Sequence, residues 1–528
     1  MIKNLVTITL LICLLSFNTS AQKPRKKDVI SIENTIKADD YKQANTLIVK
    51  LQKKHPNDPY LNLLKGICML NLDNTKEAIL PLQMASNYYG LYSAKNDYGI
   101  EANFHLGQAY HLNYQFDSAL KLFTQLSDTI PQKRTNLHKA INQEIAYCKN
   151  AIKLKQNPVD FRITNLGQAI NTEFDEHSPV VSGDENLLMF TSNKQGIGKA
   201  NSEQVLYPED IYSTIWREGK WLPSTNMGAD INTNGYDATC SLSSDGQTLI
   251  IYRNTNKGDL YISHIDNDQW SSPQKLPKPI NTAFEESHAS LSLDGNTIVF
   301  TSDRPGGMGD KDIYMVHKLP DGSWGKISHL DSTINTALNE ESPFLSYDGN
   351  TLFFASEGHS SMGGYDIFKS EKDEHGNWQK AVNIGYPINT PGDDLFYIPT
   401  LDGQRVYFAS ERAGGYGRAD IYIIEFPIDD ERSLAVVSGY LFTEDGNPSA
   451  KSVISIVSKE SNKLIGTYKP QAMTGKYTMI LPTGPDYIMT IDTPGMISLS
   501  KEIEIPYRAN YKTRNTATYI DPIVIKKQ

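Results

Sequence analysis

Residues 280–314 read INTAFEESHASLSLDGNTIVFTSDRPGGMGDKDIY. The stretch opens on Ile-Asn-Thr, carries paired acids, turns at Asp-Gly and runs through the apolar segment TIVFT. A glycine-rich loop follows, and the chain resumes at Asp-Ile-Tyr. A polar motif this dense is either an active site or one copy of a repeat, and the surrounding sequence decides between them.

Ile-Asn-Thr occurs five times, at Asn171, Asn232, Asn281, Asn335 and Asn389. An Asp follows each Asn by 13 residues, and Gly follows that Asp in all copies but the first, where Asp184 is followed by Glu185. Eight residues before this Asp there is always an acid: Glu176, Asp237, Glu286, Glu340 or Asp394. Asp-Ile-Tyr or a near match begins at Asp210, Asp259, Asp312, Asp366 and Asp420. Trp221, Trp270, Trp324 and Trp378 each stand 11 residues before the next Asn. The motif is therefore one unit of a repeat about 50–60 residues long.

Asp-Gly between two short apolar runs reads as a tight hairpin, because glycine supplies a positive φ at little cost. TIVFT and its counterpart TLFFA (351–355) are aromatic and β-branched, as an inner strand should be. Asp-Ile-Tyr opens a third strand and the Trp segment a fourth. Four strands per unit, repeated with aromatic motifs, predict a β-propeller. The block begins with a fourth-strand segment, Phe161–Ile170, and ends after a third strand, Asp420–Phe426. Joining the two closes a ring of five blades, with six as the alternative. The units resemble the TolB-like, WD-repeat-like propeller repeats of the PD40 type, over residues 160–427.

Five equivalent acids would form a ring able to hold a cation or a basic peptide. Recurrence in every unit instead favours structural roles for Asn171, Asn232, Asn281, Asn335, Asn389, for the five acids, and for Asp210, Asp259, Asp312, Asp366 and Asp420, as turn caps and ties between strands and loops. Departures from the repeat are the better functional candidates. These are the long loop Asn193–Pro208 in the first unit, and His177 and His288 beside the acids of two units. The two histidines come from non-adjacent units, so no shared metal site is expected, and no CxxC or HExxH spacing occurs. No catalytic, cofactor-binding or metal residue is assigned.

Residues 28–155 show helical periodicity with one pattern in three windows: Ala44, Ile48, Leu51 and Pro56; Gly66, Ala78, Leu82 and Ala85; Gly107, Tyr110, Ala119, Phe123 and Pro131. A small residue on one helix admits the next closely, apolar positions form the facing stripe, and proline ends the unit. These offsets resemble the tetratricopeptide repeat, with an insertion at Asn87–Gly99. After residue 432 the pattern changes to about seven short strands, predicting a β-sandwich over 433–528. Gly439-Tyr440-Leu441, Gly446-x-Pro448, Gly475-x-Tyr477 and Leu481-Pro482-x-Gly484 resemble carboxypeptidase regulatory-like domains, which are non-catalytic.

The first residues carry Lys3, an apolar run Leu5–Phe17 too short to span a bilayer, and small residues before Gln22. They read as a secretory signal, residues 1–21, with lipidation at Cys13 as the rival. No other run approaches the length of a transmembrane span. The net charge of −10 over 528 residues argues against nucleic acid, which needs a concentrated basic footprint. Of Cys68, Cys148 and Cys240, an odd number that leaves at least one thiol unpaired, Cys68 and Cys148 lie in helical apolar patterns and read as buried small hydrophobes.

The order of signal, tetratricopeptide-like helices, TolB-like propeller and regulatory-like sandwich resembles Bacteroidetes envelope proteins associated with type IX secretion and gliding. In that family an OmpA-like domain follows. It is not in this sequence, so peptidoglycan binding is not carried over. The resemblance implies a non-enzymatic scaffold in the periplasm, peripheral to the outer membrane, whose partners are envelope proteins. The alternative is a glycan- or small-ligand-binding propeller protein. A hydrolase is the weaker reading, since there is no Gly-x-Ser-x-Gly and no βαβ region to hold a nucleophile elbow.

Overall fold

The computed structural model describes residues 24–92, 97–196, 207–266, 269–401, 403–426, 434–471, 474–505 and 518–526. The signal segment, Cys13 and part of the long first-unit loop lie outside the described residues. Among the described residues the architecture is seven helices followed by several β-sheets. The chain divides into two compact units. One is residues 1–158 with Ser360–Gly364 and Thr390–Gly392, and the other is the remainder.

The helices are α1 (Lys26–Lys37), α2 (Tyr41–Gln52), α3 (Pro59–Asn71), α4 (Thr75–Tyr89), α5 (Tyr98–Leu112), α6 (Phe116–Thr129) and α7 (Thr135–Gln156). Local chemistry sets several of their ends. The Asp58 carboxylate accepts from the amides of Tyr60 and Leu61, and Pro59 fills the first helical position, where no amide partner is needed. Asp40 caps α2 through the Gln43 amide at 2.9 Å. Successive helices pack on one another, and α3 also meets α5. The small residues noted in sequence lie at the closest approaches. A Cβ on Gly66 would sit 2.3 Å from Leu82, and one on Gly107 would sit 2.5 Å from the Phe123 ring. Ala78, Ala85, Ala102, Ala109 and Ala119 are fully buried for the same reason.

Five antiparallel sheets follow. Each has the repeat's strand order, from a first strand at one edge to a short fourth strand at the other. The first strands are Glu176–Val181, Asp237–Leu242, Glu286–Leu291, Glu340–Leu345 and Asp394–Pro399. TIVFT and TLFFA are second strands, one in from this edge. Each first strand packs against the first strand of the next sheet, and that of the fifth packs against that of the first. Every pair of neighbouring sheets shares one apolar cluster. Val180, Met189 and Leu249 join the first sheet to the second, and Ile250, Ile298 and Phe300 join the second to the third. Val299, Leu352 and Phe354 join the third to the fourth, Ile367 and Phe408 the fourth to the fifth, and Phe190 and Tyr407 the fifth to the first. A second strand thus buries both faces: Ile298 and Phe300 point one way and Val299 the other. That is why these strands read as unbroken apolar runs rather than alternating ones.

Residues Arg162–Asn165 form the fourth strand of the fifth sheet, pairing antiparallel with Glu425–Tyr422. The Trp segments differ from the expectation of one regular fourth strand. Trp221 and Trp270 sit on two-residue strands at the end of the third strand, and Trp324 and Trp378 make single bridges. The strand proper follows each Trp as only two residues, as at Ser328–His329 and Val382–Asn383. Each such edge is short, which limits pairing with other chains.

The last part of the chain forms two four-stranded sheets that share one core, with Val437, Leu441, Met479 and Leu481 from one and Ile454, Ile456, Tyr487 and Met489 from the other. The strand Leu434–Thr443 pairs antiparallel with Lys476–Pro482 and parallel with Ile523–Ile525.

Gly107→Ala should destabilise the helical unit by about 1–3 kcal/mol, since the Phe123 ring must move from a filled core. A fall in the helical melting transition by circular dichroism is the expected result, and an unchanged transition would show that the ring is free to shift.

Candidate functional site

The recurrent acids start the first strands and are all fully buried. Strand register sets each opposite a second-strand residue, and that residue opposite the third-strand Asp. The rungs are Glu176–Ser192–Asp210, Asp237–Arg253–Asp259, Glu286–Ser302–Asp312, Glu340–Ser356–Asp366 and Asp394–Ser410–Asp420. The carboxylates are consumed within their own sheets. Glu340 accepts from the Thr336 amide at 2.8 Å, the Thr336 hydroxyl at 2.7 Å and the Ser356 hydroxyl at 2.7 Å. Glu176 repeats this with Thr172 and Ser192, and Glu286 with Thr282 and Ser302. Thr of Ile-Asn-Thr is therefore the donor that turns the chain into the first strand.

The Asn of the same tripeptide reaches the preceding sheet. Asn335 accepts from the Ile313 amide at 2.8 Å and donates to the Ile313 carbonyl at 3.0 Å. Asn232 does so at Ile211, Asn281 at Leu260 and Asn389 at Ile367. Asn171 does so at Ile421, from the first unit to the last sheet. A carboxamide offers a donor and an acceptor side by side, as a strand backbone does, and no other short side chain can do this.

The third-strand Asp accepts from a donor six residues before the Asn. Asn226, Asn383 and Asn165 serve Asp210, Asp366 and Asp420 at 2.7–2.8 Å. Lys275 serves Asp259 at 2.7 Å, and His329 lies 3.5 Å from Asp312. In the third and fifth sheets the glycine-rich loop folds back onto the same Asp through amides of Met308, Tyr416 and Gly417. A Cβ on Gly307 would sit 1.8 Å from the Asp312 carboxylate, so glycine is required there.

A further set of residues went unnoticed in sequence. Arg304 and Arg412, two residues beyond the second-strand Ser, lie over the Phe300–Tyr314 and Phe408–Tyr422 ring pairs. Each donates to the acid and to the Ile carbonyl of Ile-Asn-Thr. Arg253 puts its guanidinium on the same two groups, Asp237 and the Ile231 carbonyl, from the Ser position itself. In the fourth sheet His359 takes the carbonyl, donating to Ile334 at 2.8 Å, and no ion pair to Glu340 forms among the described residues. Burial accordingly outweighs the three donors and pushes the Glu340 carboxyl up to about 7. The readable signal was a basic residue two places beyond the second-strand Ser in three of the five units, at Lys194, Arg304 and Arg412.

The first strands converge on a common centre. Each carries a bulge, and Ser178, His288, Ser342 and Phe396 there have positive φ. His177 and His288, expected to be apart, both lie against Phe396, with ring centroids 5.7 and 5.0 Å away. Non-adjacent units meet because five strands share one narrow axis. The cavity left there, lined by Ser178, Cys240, His288, Ser342 and Phe396 among others, has about 10 Å³, room for one water. Around it His288 pairs with Glu341, and Lys311 bridges Glu341 at 2.8 Å and Glu285 at 3.2 Å. These cations hold the Glu341 carboxyl well below the usual range against the opposing effect of burial. Glu209 lies 3.6 Å from His177; burial alone would raise its carboxyl, but pairing with His177 holds it at about 2. Among the described residues no group of three or more His, Cys, Asp or Glu could hold a metal ion.

No protein-family model matches the chain, and no curated protein matches it. Among solved structures, an endo-arabinase from Bacteroides thetaiotaomicron is 14% identical with a TM-score of 0.34, over 52% of this chain and 99% of that one. An α-L-arabinofuranosidase from Lactobacillus brevis is 11% identical with a TM-score of 0.32, over 48% and 90%. A gluconolactonase from Xanthomonas campestris is 14% identical with a TM-score of 0.29, over 51% and 90%. Similarity of this degree carries nothing about substrate or activity.

Two outcomes are expected. Asn335→Asp removes the donor to Ile313 and sets a carboxylate against carbonyls, and should cost about 2–4 kcal/mol in urea denaturation; a cost near zero would remove the amide clamp from the account. Glu340, with its carboxyl raised in the fold, binds its proton more tightly folded than unfolded. Its contribution to stability therefore grows as pH falls from about 7 toward its ordinary value near 4.5, and is lost as pH rises through about 7. The melting-temperature advantage of wild type over Glu340→Gln should widen between pH 8 and about pH 5.

Proposed function

We propose that the chain is a non-enzymatic exported scaffold of the cell envelope. In this reading the five sheets are the blades of one five-bladed, TolB-like propeller. The helices form a tetratricopeptide-like array and the C-terminal sheets a regulatory-like sandwich. The observation that supports the reading is the use of the recurrent polar set: the acids, Asn and Asp bond within and between the sheets, the kind of role that their recurrence in every unit favours. Interaction surfaces remain. On α4, Leu80, Met84 and Tyr88 stand one turn apart on one face and are 65%, 36% and 62% exposed. An apolar stripe of this kind on a helical array suits contact with a protein segment.

The scaffold works in the periplasm, peripheral to the outer membrane, with envelope proteins as partners and an association with type IX secretion or gliding machinery. Among the described residues no helix is long and apolar enough to cross a membrane. Glycan or small-ligand binding at the common centre is the second reading, and the cavity lined there by His288 and Phe396 holds about one water.

Crosslinking intact cells that carry the tagged protein, then identifying what co-purifies, tests the reading. Recovery of outer-membrane or secretion components, reduced by Leu80→Glu with Tyr88→Glu, is expected. Recovery of the protein alone would count against a scaffold and move attention to glycan ligands.

A further inference from the structure

The first hairpin breaks the Asp-Gly rule, and two adjacent residues show what it gains. Glu185 stands where the other turns have glycine, at φ 52°. Its carboxylate lies across the joint between the first and fifth sheets, where it takes a bidentate hydrogen bond from Arg405, whose Nε is 2.9 Å from Oε2, and a bond from the Tyr407 hydroxyl at 3.1 Å. The preceding residue, Asp184, faces the C-terminal sheets, and the Lys476 ammonium donates to it at 2.6 Å.

The same C-terminal sheet touches other hairpin ends. Val436 and Ile480 alternate with the inward residues Val437, Met479 and Leu481, and so face away from the two-sheet core. They pack instead on Leu401 of the fifth sheet's turn, with Tyr347 of the fourth sheet's turn against them. Val436, Ile480 and Leu401 are all nearly fully buried. Gly183 is part of this close fit, since a Cβ there would stand 2.9 Å from the Ser244 carbonyl and 3.6 Å from Ile480. The C-terminal sheets thus grip the first sheet through an ion pair and the fourth and fifth through apolar contact.

We propose that the C-terminal pair of sheets is a clasp on the seam between the first and fifth sheets, so that its docking and the closure of the cycle are coupled through Asp184 and Glu185. The seam is where coupling has most effect, because the fifth sheet takes its last strand, Arg162–Asn165, from the far end of the repeat block. A partner that pulls on or displaces the C-terminal sheets loosens this joint before any other. The coupling is reciprocal, so loosening the seam weakens the docking.

Hydrogen exchange followed by mass spectrometry on the full chain tests this. Lys476→Met keeps the aliphatic stem and removes the charge. Exchange in Arg162–Asn165 and Asp420–Glu425 should accelerate about three- to tenfold, while Glu286–Leu291 of the third sheet stays as in wild type. Glu185→Gly, which restores the turn sequence of the other units, should in turn accelerate exchange in Lys476–Pro482. Faster exchange confined to the C-terminal sheets in Lys476→Met, or an unchanged Lys476–Pro482 in Glu185→Gly, overturns the proposal. If a variant loses protection in the third sheet and so fails to fold, Lys476→Gln takes its place, because it removes the charge and leaves a polar side chain at the same position. Seam acceleration there supports the clasp, and its absence overturns it.

Discussion

The cycle of sheets depends on a side-chain amide that imitates a strand. Consecutive sheets meet face to face, and apolar clusters between them supply attraction without direction. Direction comes from five asparagines, each occupying both hydrogen-bonding positions of one residue in the preceding sheet's third strand. The neighbouring Thr then donates to the acid that begins the next sheet. Three residues in sequence therefore finish one sheet and start another, and the angle between sheets is fixed by hydrogen bonds rather than by the shape of the core alone.

Around this tie most of the buried polar groups have partners, while Oδ1 of Asp259 is buried without a hydrogen bond among the described residues. Glu176, Asp237, Glu286 and Glu340 have donors from their own turns and second strands, and Asp394 has one from its second strand. Asp210, Asp259, Asp366 and Asp420 have a donor from the fourth-strand segment, and most of the acids also meet a cation. Burying so many carboxylates is costly unless they are hydrogen-bonded or paired. Where the cation is replaced by His359, the cost appears directly as the raised Glu340 carboxyl. The five sheets are alike in backbone yet differ in electrostatics, because the repeat fixes the acid and leaves its counter-charge to vary.

Much of this was legible in the sequence, because the repeat exposes its own spacing. The hairpins, the apolar second strands and the start of each third strand at Asp lie where the period places them. The partners of the polar residues were not legible, because each bond crosses between sheets or joins residues that spacing alone does not pair. Asn165, Asn226, Lys275, His329 and Asn383 occupy one structural position, but their chemical variety hid the pattern. His177 and His288 seemed remote because their units are not neighbours, and only a narrow common centre brings both to Phe396. Glu185 stood in the sequence only as the one departure from Asp-Gly, and its bond across the joint had no sequence signal.

The borrowed strand has a consequence for the chain as it is made. Asn165 and its partner Asp420 are 255 residues apart, so the segment that completes the last sheet emerges long before the strand it pairs with. Until then the fifth sheet has no edge to offer, and the early segment has no ladder. Contacts separated so widely in sequence form late and slowly. The order of synthesis thus imposes a waiting period in which an unpaired strand is exposed, and assembly ends with the joining of the block's two extremities. A chain truncated just before residue 420 would contain four complete sheets and lack the step that joins the fifth to the first.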